Sequence, residues 1–525
     1  MNIKITPTEE TFGVTADKLT GGQQLATESV HLQDCDTRTS LINQARSQYT
    51  RGISNDLLDI LDGVSPSTST AMSITKEYEP NRPLQPISLA KFALVGVEML
   101  ERINPDGSSV TKDQLAKAMQ DPSFKGEQAQ AVAAMYKEFD KLHNLNDHHG
   151  FYNSISAGDL IRFAQVQKEH EDKVSEAYDL KFWVAENLQK FTKDKNGVAY
   201  SSDIAKALED PNLSTNNRKN LTNLQKVMPA AWFWEDGLKA SDVARLATEI
   251  SSNTDEAKLV NGVSWDIQRT ADAQRTLGDT ELYSTANPLD SIKPDAIKQG
   301  MIGDCYFEAS LAAVANSNPS LIRDAIQDNH DGTYTVNFPG AKAESITVKA
   351  PTEQEMGLYN SSSQDGIWAS VMEKAYGKYR DNHNWIGTYM PQEAADGGGH
   401  PADTMKLLTG QEVATTDMRD KTASTEPVIE QLEKAFSTNS PRAVTASSMV
   451  YWNGFWAGWD SHGNTADGIA KGHAFTVIGF HPDGTGSGTV TMRNPWGMQG
   501  DRYSGDFEVP FSTFVTNFQT LDVTR

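Results

Sequence analysis

The stretch Gln299 to Ala315, QGMIGDCYFEASLAAVA, is the tightest local constraint in the chain. A glycine-punctuated turn runs straight into an apolar, alanine-rich segment. Phe307, Leu311 and Val314 recur there at helical spacing, so the residues after Cys305 are expected to form a helix with a buried stripe. Cys305 then occupies the first turn of that helix. Unpaired backbone N–H groups and the positive end of the helix dipole lower a thiol pKa there and favour the thiolate. Gln299 lies upstream across the turn, where a side-chain amide can face the same centre. Together they are the front half of an acyl-transfer site. The ordinary alternative is that Cys305 is a small buried hydrophobe.

At 525 residues the chain is long enough for two to four domains. Its formal charge of −23 argues against nucleic-acid binding, because phosphate contacts need clustered Lys and Arg. The two cysteines, Cys35 and Cys305, are too few for a disulfide framework and fit a nucleophile in a reducing compartment. Asp34 and Asp36 flank Cys35 and raise its pKa, so it is read as inert. The N-terminus lacks the basic and apolar regions of a Sec signal peptide, and no stretch is apolar for long enough to span a bilayer. The expected location is the cytoplasm, or outside the cell by a non-Sec route, as for a bacterial effector.

Residues 1–83 are rich in Thr, Ser, Gln, Asp and Gly and are expected to be mostly disordered. From 84 to 250 the pattern turns helical and repeats. VTKDQLAKAM, ISAGDLIRFA, AYSSDIAKAL and LKASDVARLA share one form at intervals of roughly forty residues, the mark of a helix–loop–helix array. These units look like degenerate EF-hands. The third offers Asp194, Asn196 and Gly197 near loop positions three, five and six, with Asp203 at the last position in place of a bidentate Glu. Calcium needs six to eight oxygens, which this spacing does not cleanly supply. Asp147, His148 and His149 form an acidic–imidazole cluster in the second loop, without another suitably spaced His or Cys. Residues 251–283 are polar and read as a connector.

After the Cys305 helix come two short alternating strands, DGTYTVNF and AESITVKA, then the amphipathic helix GIWASVMEKAYGKYR and a glycine loop, DGGGHPADTMKLLTG. The last hundred residues are strand-rich. KGHAFTVIGF places His473 at the start of a buried strand, and TMRNPWG places Asn494 at the end of the next. A thiolate nucleophile needs a base, an oxyanion donor and a group that orients the imidazole. Cys305, His473, Asn494 and Gln299 offer one of each, and Trp496 is placed to cover the His–Asn pair. Taken singly, His473 reads as a core histidine, Asn494 as a strand-end cap and Trp496 as core filling; their conjunction is what points to catalysis.

QGMIGDC with its alanine-rich helix resembles the nucleophile motif of the calpains, papain-like cysteine proteases. WASVMEKAY, the glycine loop, KGHAFTV and MRNPWG are similar to further calpain motifs, in family order, as is the closing GDFEVPFSTFVTNFQTLDV. The resemblance covers 284–525. It implies Cys305 as nucleophile, His473 as general acid–base, Asn494 as orienting residue, Gln299 as oxyanion donor and Trp496 as a lid, with Gly303 and Gly472 shaping the site. Two features depart from the family. Tyr306 replaces the usual Trp after the cysteine. The acids that hold calcium in calpain cores are displaced, to Asp295 on one side and the region of Asn384 on the other.

The expected fold is therefore α+β: a papain-like two-lobed protease, helical lobe about 284–435 and β-rich lobe about 436–525, preceded by an all-α helix–loop–helix array. The expected function is cysteine endopeptidase, cutting intracellular protein substrates through a thioester. A papain-like transferase or deamidase, or a binding protein that uses the array, are the alternatives. No cofactor is expected to be required, and activation by calcium is in doubt. The array is a candidate intramolecular regulator, releasable by cleavage within 251–283.

Overall fold

The computed structural model describes residues 85–525 except 106, 147–152, 193, 195, 228–236, 277–280, 362–364, 385, 421–423, 437–440, 453–458, 461–463, 485–486 and 498–502. The segment 1–83 with Cys35, and the Asp147, His148, His149 loop, lie outside the described residues.

The recurrent phrases become paired helix–loop–helix units. α1 (Leu89–Ile103) leads to β1 (Ser109–Thr111) and α2 (Lys112–Met119). α3 (Glu127–Lys137) leads to β2 (Ser154–Ser156) and the long α4 (Ala157–Asn187). Next come β3 (Ala199–Tyr200), α5 (Ser201–Leu208), α6 (Thr215–Val227), β4 (Gly237–Leu238) and α7 (Ala240–Ser252). β1 pairs antiparallel with β2, and β3 with β4. The polar residues of the phrase start the helices. Thr111 and Gln114 form a capping box on α2, and Ser156 and Asp159 form one on α4.

The two pairs of units have different cores. Val110, Leu115, Phe139, Ile155 and Phe163 of the first pair belong to one continuous hydrophobic cluster with Phe307, Leu311 and Trp368, far downstream. Trp183, Ile204, Leu221, Leu224 and Val243 of the second pair form a smaller cluster of their own.

The stretch read as a polar connector contains a 22-residue helix, α8 (Asp255–Thr276). It buries Val260, Val263 and Ile267, and also the polar Asp266, Thr270 and Gln274. Gln274 donates to the Gly126 carbonyl at 2.9 Å and to Glu353 Oε2 at 2.6 Å, and accepts from Gln130 Nε2 at 2.9 Å. Its partners are remote in sequence, so its polarity imitates that of a linker. Buried polar groups need such partners.

In the helical lobe, α9 (Cys305–Ser317) has every residue from Tyr306 to Ala315 buried. Being enclosed on all sides accounts for an apolar composition wider than a single stripe. β5 (Ile326–Asp328), β6 (Thr333–Val336) and β7 (Ile346–Lys349) form a small antiparallel sheet. α10 (Glu353–Leu358), α11 (Trp368–Asn384) and α12 (Pro401–Thr409) also belong to this lobe.

The second lobe is an antiparallel six-stranded sheet. Its strands are β8 (Val413–Asp417), β9 (Val444–Ser448), β10 (Ala474–Pro482), β11 (Gly488–Arg493), β12 (Asp506–Pro510) and β13 (Phe518–Thr524). Their order in the sheet is β12-β11-β10-β9-β13-β8. β8 pairs with β13, and Val428, Leu432 and Ala435 of α13 (Glu426–Ala435) join this lobe's core. The sheet thus draws its edge strand from residues 413–417, ahead of α13. β8 is short and half polar because it is an edge strand, which hides it in the sequence.

Candidate active site

Cys305 heads α9 directly after Asp304. The turn before it is held by close backbone approach. Met301 N–H donates to the Leu358 carbonyl at 2.8 Å, and a Cβ at Gly300 would lie 2.4 Å from the same oxygen. Gly303 is exposed, and its N–H donates to Asp396 Oδ1 at 2.7 Å, which ties the turn to the glycine loop. Tyr306 stands where the related motif has Trp. It is buried, donates its hydroxyl to the Ala395 carbonyl at 3.0 Å and accepts from Arg380. Tyr306 thus supplies both an aromatic wall and a hydrogen bond to the Ala395 carbonyl.

His473 precedes β10, after Gly472, whose φ of 59° suits a residue without a Cβ. Ser448 fixes the histidine backbone from β9: His473 N–H donates to Ser448 Oγ at 2.9 Å, and Ser448 N–H donates to the His473 carbonyl at 2.9 Å. Asn494 follows β11, the neighbour of β10 in the sheet. His473 Nε2 lies 2.9 Å from Asn494 Oδ1.

The Asn494 amide can be oriented from its other bonds. Its Nδ2 donates to the Tyr503 carbonyl at 3.0 Å, and its Oδ1 accepts from Trp496 N–H at 3.1 Å. The atom facing the imidazole is therefore an acceptor, so Nε2 carries the proton and Nδ1 of the neutral ring is the basic nitrogen. Trp496 stacks obliquely on the imidazole, with ring centroids 4.3 Å apart, and Phe475 meets it edge-on.

The two lobes meet at this point. Thr476 Oγ1 on β10 donates to the Ala309 carbonyl in α9 at 2.8 Å. The backbone amide of Ala474, the residue after His473, faces the Cys305 sulfur. Burial raises the Cys305 thiol to about 11, with the Asp304 charge adding to the rise and the Ala474 amide opposing it. Burial lowers His473 to about 4, opposed by the hydrogen bond to Asn494.

Gln299 is buried. Its N–H donates to the Pro495 carbonyl at 2.8 Å, and its Nε2 donates to the Ile302 carbonyl at 2.7 Å. Its side chain also bonds to the Asp304 carboxylate.

The displaced acids do not converge on this site. Asp295 and Asn384 are both exposed. A different set of carboxylates does converge: Asp304, Glu308 and Glu373 are buried with their oxygens within 4.8 Å of one another. Sequence reading missed it, although a Glu inside an otherwise apolar, alanine-rich helix is a signal in itself. In the third loop of the array, Asp194 Oδ1 accepts from Asn196 N–H at 2.6 Å, and Thr192 Oγ1 lies 3.4 Å from Asp203 Oδ2. Asp194 and Asp203 thus each accept a hydrogen bond within their own loop, while Asn196 contributes its backbone N–H. Gly197 there has a φ of 73°.

The profile of the calpain family cysteine protease domain matches residues 246–519, just over half of the chain. Mouse calpain-9 is 28% identical over 217 residues, covering 38% of this chain and 28% of that protein. Mouse calpain-5 is 26% identical over 246 residues, covering 40% and 35% respectively. A calpain-type cysteine protease of maize is 27% identical over 215 residues, covering 39% and 9%. The chain thus spans about a third or less of the length of these relatives. The match begins inside α7 and takes in all of α8, while residues 85–245 lie outside it. No helix among the described residues is long and apolar enough to cross a membrane.

Proposed function

The chain belongs to the calpain family of cysteine proteases, and on that premise we propose that it is an endopeptidase whose catalytic set is Cys305, His473, Asn494 and Gln299. The observation that carries this reading is the 2.9 Å contact from His473 Nε2 to Asn494 Oδ1, which leaves Nδ1 as the base.

His473 Nδ1 accepts the thiol proton as Cys305 sulfur attacks the substrate carbonyl. The Cys305 N–H and the Gln299 amide donate to the oxyanion that forms. The resulting imidazolium is stabilised by Asn494 and gives its proton to the leaving amine, so the peptide C–N bond breaks and a thioester remains. Water then attacks the thioester with Nδ1 taking its proton. The sulfur leaves and recovers a proton, and the acid product is released. Trp496 and Phe475 keep water from the His–Asn bond during these steps. The substrates are proteins.

Cys305→Ala is expected to abolish cleavage of a denatured protein substrate and labelling by a thiol-directed epoxide. Mass spectrometry of the products reads the reaction class, since chain cleavage supports hydrolysis and unit mass gains at Gln or Asn point to deamidation. Undiminished cleavage by the alanine variant refutes the assignment.

We also read the units of 85–252 as EF-hand-like in shape. Support comes from the two short inter-loop ladders and the left-handed glycine at loop position six of the third unit. Loss of calcium binding in an Asp194→Asn, Asp203→Asn double variant would establish an ion in that loop, and unaltered binding would leave a purely structural unit.

A further inference from the structure

The turn that leads to Cys305 is held from outside the catalytic set. Residues 298–301 run beside 357–361: Ser361 N–H donates to the Lys298 carbonyl at 3.3 Å, and Met301 N–H to the Leu358 carbonyl at 2.8 Å. Neither bond uses the carbonyls of Gln299 and Met301. Both of these are reached by cations from earlier in the chain. On α8, Arg269 Nη2 donates to the Gln299 carbonyl at 3.4 Å, and its Nε donates to the Gly357 carbonyl at 3.4 Å. Lys137, the last residue of α3, donates from Nζ to the Met301 carbonyl at 3.5 Å.

Packing fixes the helix that carries Arg269. Val263 and Ile267 of α8 share a core with Phe307 of α9. Gly357 of α10 lets α8 approach closely, since a Cβ there would lie 2.3 Å from Thr270 Oγ1. Arg269 is half-buried at this approach, and its hydrogen bonds go to backbone carbonyls and not to a carboxylate. A guanidinium carries its donors on separate nitrogens of one rigid plane, so it can bridge two acceptors. At 3.4 Å each bond adds little stability. What the fork supplies is a fixed relation between residues 299 and 357. Gln299 is thus gripped at its N–H by the Pro495 carbonyl of the β-rich lobe and at its own carbonyl by α8.

We infer that Arg269 is a positioning residue for the proposed reaction: its guanidinium fixes the Gln299 backbone against α10 and so sets where the Gln299 side chain stands. The inference rests on the reading of Gln299 as an oxyanion donor. Arg269 touches no reacting atom and acts only through Gln299. A shift of about 1 Å in a catalytic group, caused from a distance, is enough to cost a large factor in rate. Lys137 steadies the same turn two residues further on. The helix α8, within the stretch whose polarity suggests a connector, therefore contributes to the rate through position.

The test compares full-length Arg269→Met and Arg269→Lys with wild type on a fluorogenic peptide. Labelling of Cys305 by iodoacetamide, read by peptide mapping, runs alongside. Labelling forms the S–C bond as iodide leaves and develops no oxyanion, so its rate reports the nucleophile without Gln299. Arg269→Met is expected to lower kcat about tenfold or more, with KM within about twofold of wild type and the labelling rate unchanged. Arg269→Lys keeps the charge but reaches one carbonyl at a time, and is expected to recover all but about threefold of kcat. An unchanged kcat in Arg269→Met overturns the inference. So does a parallel fall of kcat and labelling, which is the mark of a role confined to stability. Should Arg269→Met fail to fold, Arg269→Lys decides: a lower kcat at unchanged labelling supports the inference, and an unchanged kcat overturns it. Wild type that does not cleave, or cleavage that survives Cys305→Ala, refutes the protease reading and this inference with it. Cys305-dependent cleavage that Arg269→Met leaves intact overturns this inference alone.

Discussion

The backbone N–H of Gln299 donates to the carbonyl of Pro495 at 2.8 Å, joining the turn before Cys305 to the turn after Asn494. This bond runs between the two lobes through residues adjacent to the site itself. Arg493, on β11, adds a second tie, with Nη2 3.5 Å from the Ile297 carbonyl and Nη1 2.6 Å from Asp506 Oδ1. Thr476 adds a third through the Ala309 carbonyl. Direct hydrogen bonds thus span the cleft between the two lobes.

Arg493 is the tie open to mutation, since its guanidinium is buried and spans both lobes. Arg493→Ala leaves the Ile297 carbonyl without this partner and frees Asp506. Loss of a charged hydrogen bond costs about 1.5–3 kcal/mol. If that cost falls on lobe alignment, kcat/KM for a peptide substrate is expected to drop about tenfold or more while the melting temperature changes little. A fall in melting temperature with unchanged kcat/KM would place Arg493 in stability alone.

The resting charge state of the site gives a pH prediction. Burial holds the Cys305 thiol up to about 11 and His473 down to about 4. The resting pair is then thiol and neutral imidazole. Alkylation of the free enzyme by iodoacetamide is expected to be slow at pH 7 and to rise about tenfold per pH unit toward 11. The acid limb of kcat/KM is expected well below the ordinary imidazole value of 6.5, because His473 remains a base until about pH 4. An alkylation rate already flat at pH 7 would reveal a thiolate–imidazolium pair and refute this.

What could be read from the sequence was local. QGMIGDC, KGHAFTV and MRNPWG carry their chemistry within a few residues, so the positions of Cys305, His473 and Asn494 at a helix start and two strand ends follow from nearby pattern. What escaped depends on partners far along the chain. α8 reads as a linker because Asp266, Thr270 and Gln274 lie on its buried side. The array looks self-contained, yet its first half shares a core with α9 and α11 that no periodicity announces. The Asp304–Glu308–Glu373 cluster combines a cap, a mid-helix acid and a residue from another helix. Only Glu308 hinted at it.

Asp266 offers a stability test independent of the active site. Burial, and then the charge of Glu138, raise its pKa from 3.8 to about 8. The folded chain therefore keeps a proton that the unfolded chain releases above about pH 4. Stability from this group is complete below that point and is lost as pH rises toward 8. Asn mimics the protonated acid. Asp266→Asn is expected to melt with wild type near pH 4 and increasingly above it as pH rises toward 8. Parallel melting curves across that range would mean that Asp266 is ionised in the folded protein.

Glu353 tests whether the array is a detachable regulator or part of the protease. Its Oε2 accepts from the Gly126 N–H at 2.9 Å and from Gln274 Nε2 at 2.6 Å, and its Oε1 pairs with Lys125 at 3.3 Å. One buried carboxylate thus joins the array, α8 and α10. Glu353→Ala strands two buried donors, at about 1–3 kcal/mol each, and is expected to lower the stability of 85–525 by roughly 2–5 kcal/mol. The same continuity predicts that 284–525 alone does not fold, since it would expose Phe307, Leu311 and Trp368 where α8 and the first pair of units now complete their core. Limited proteolysis should spare 255–276 in the intact chain. A folded, active 284–525 fragment, or early cleavage within α8, would restore the view of the array as a releasable restraint.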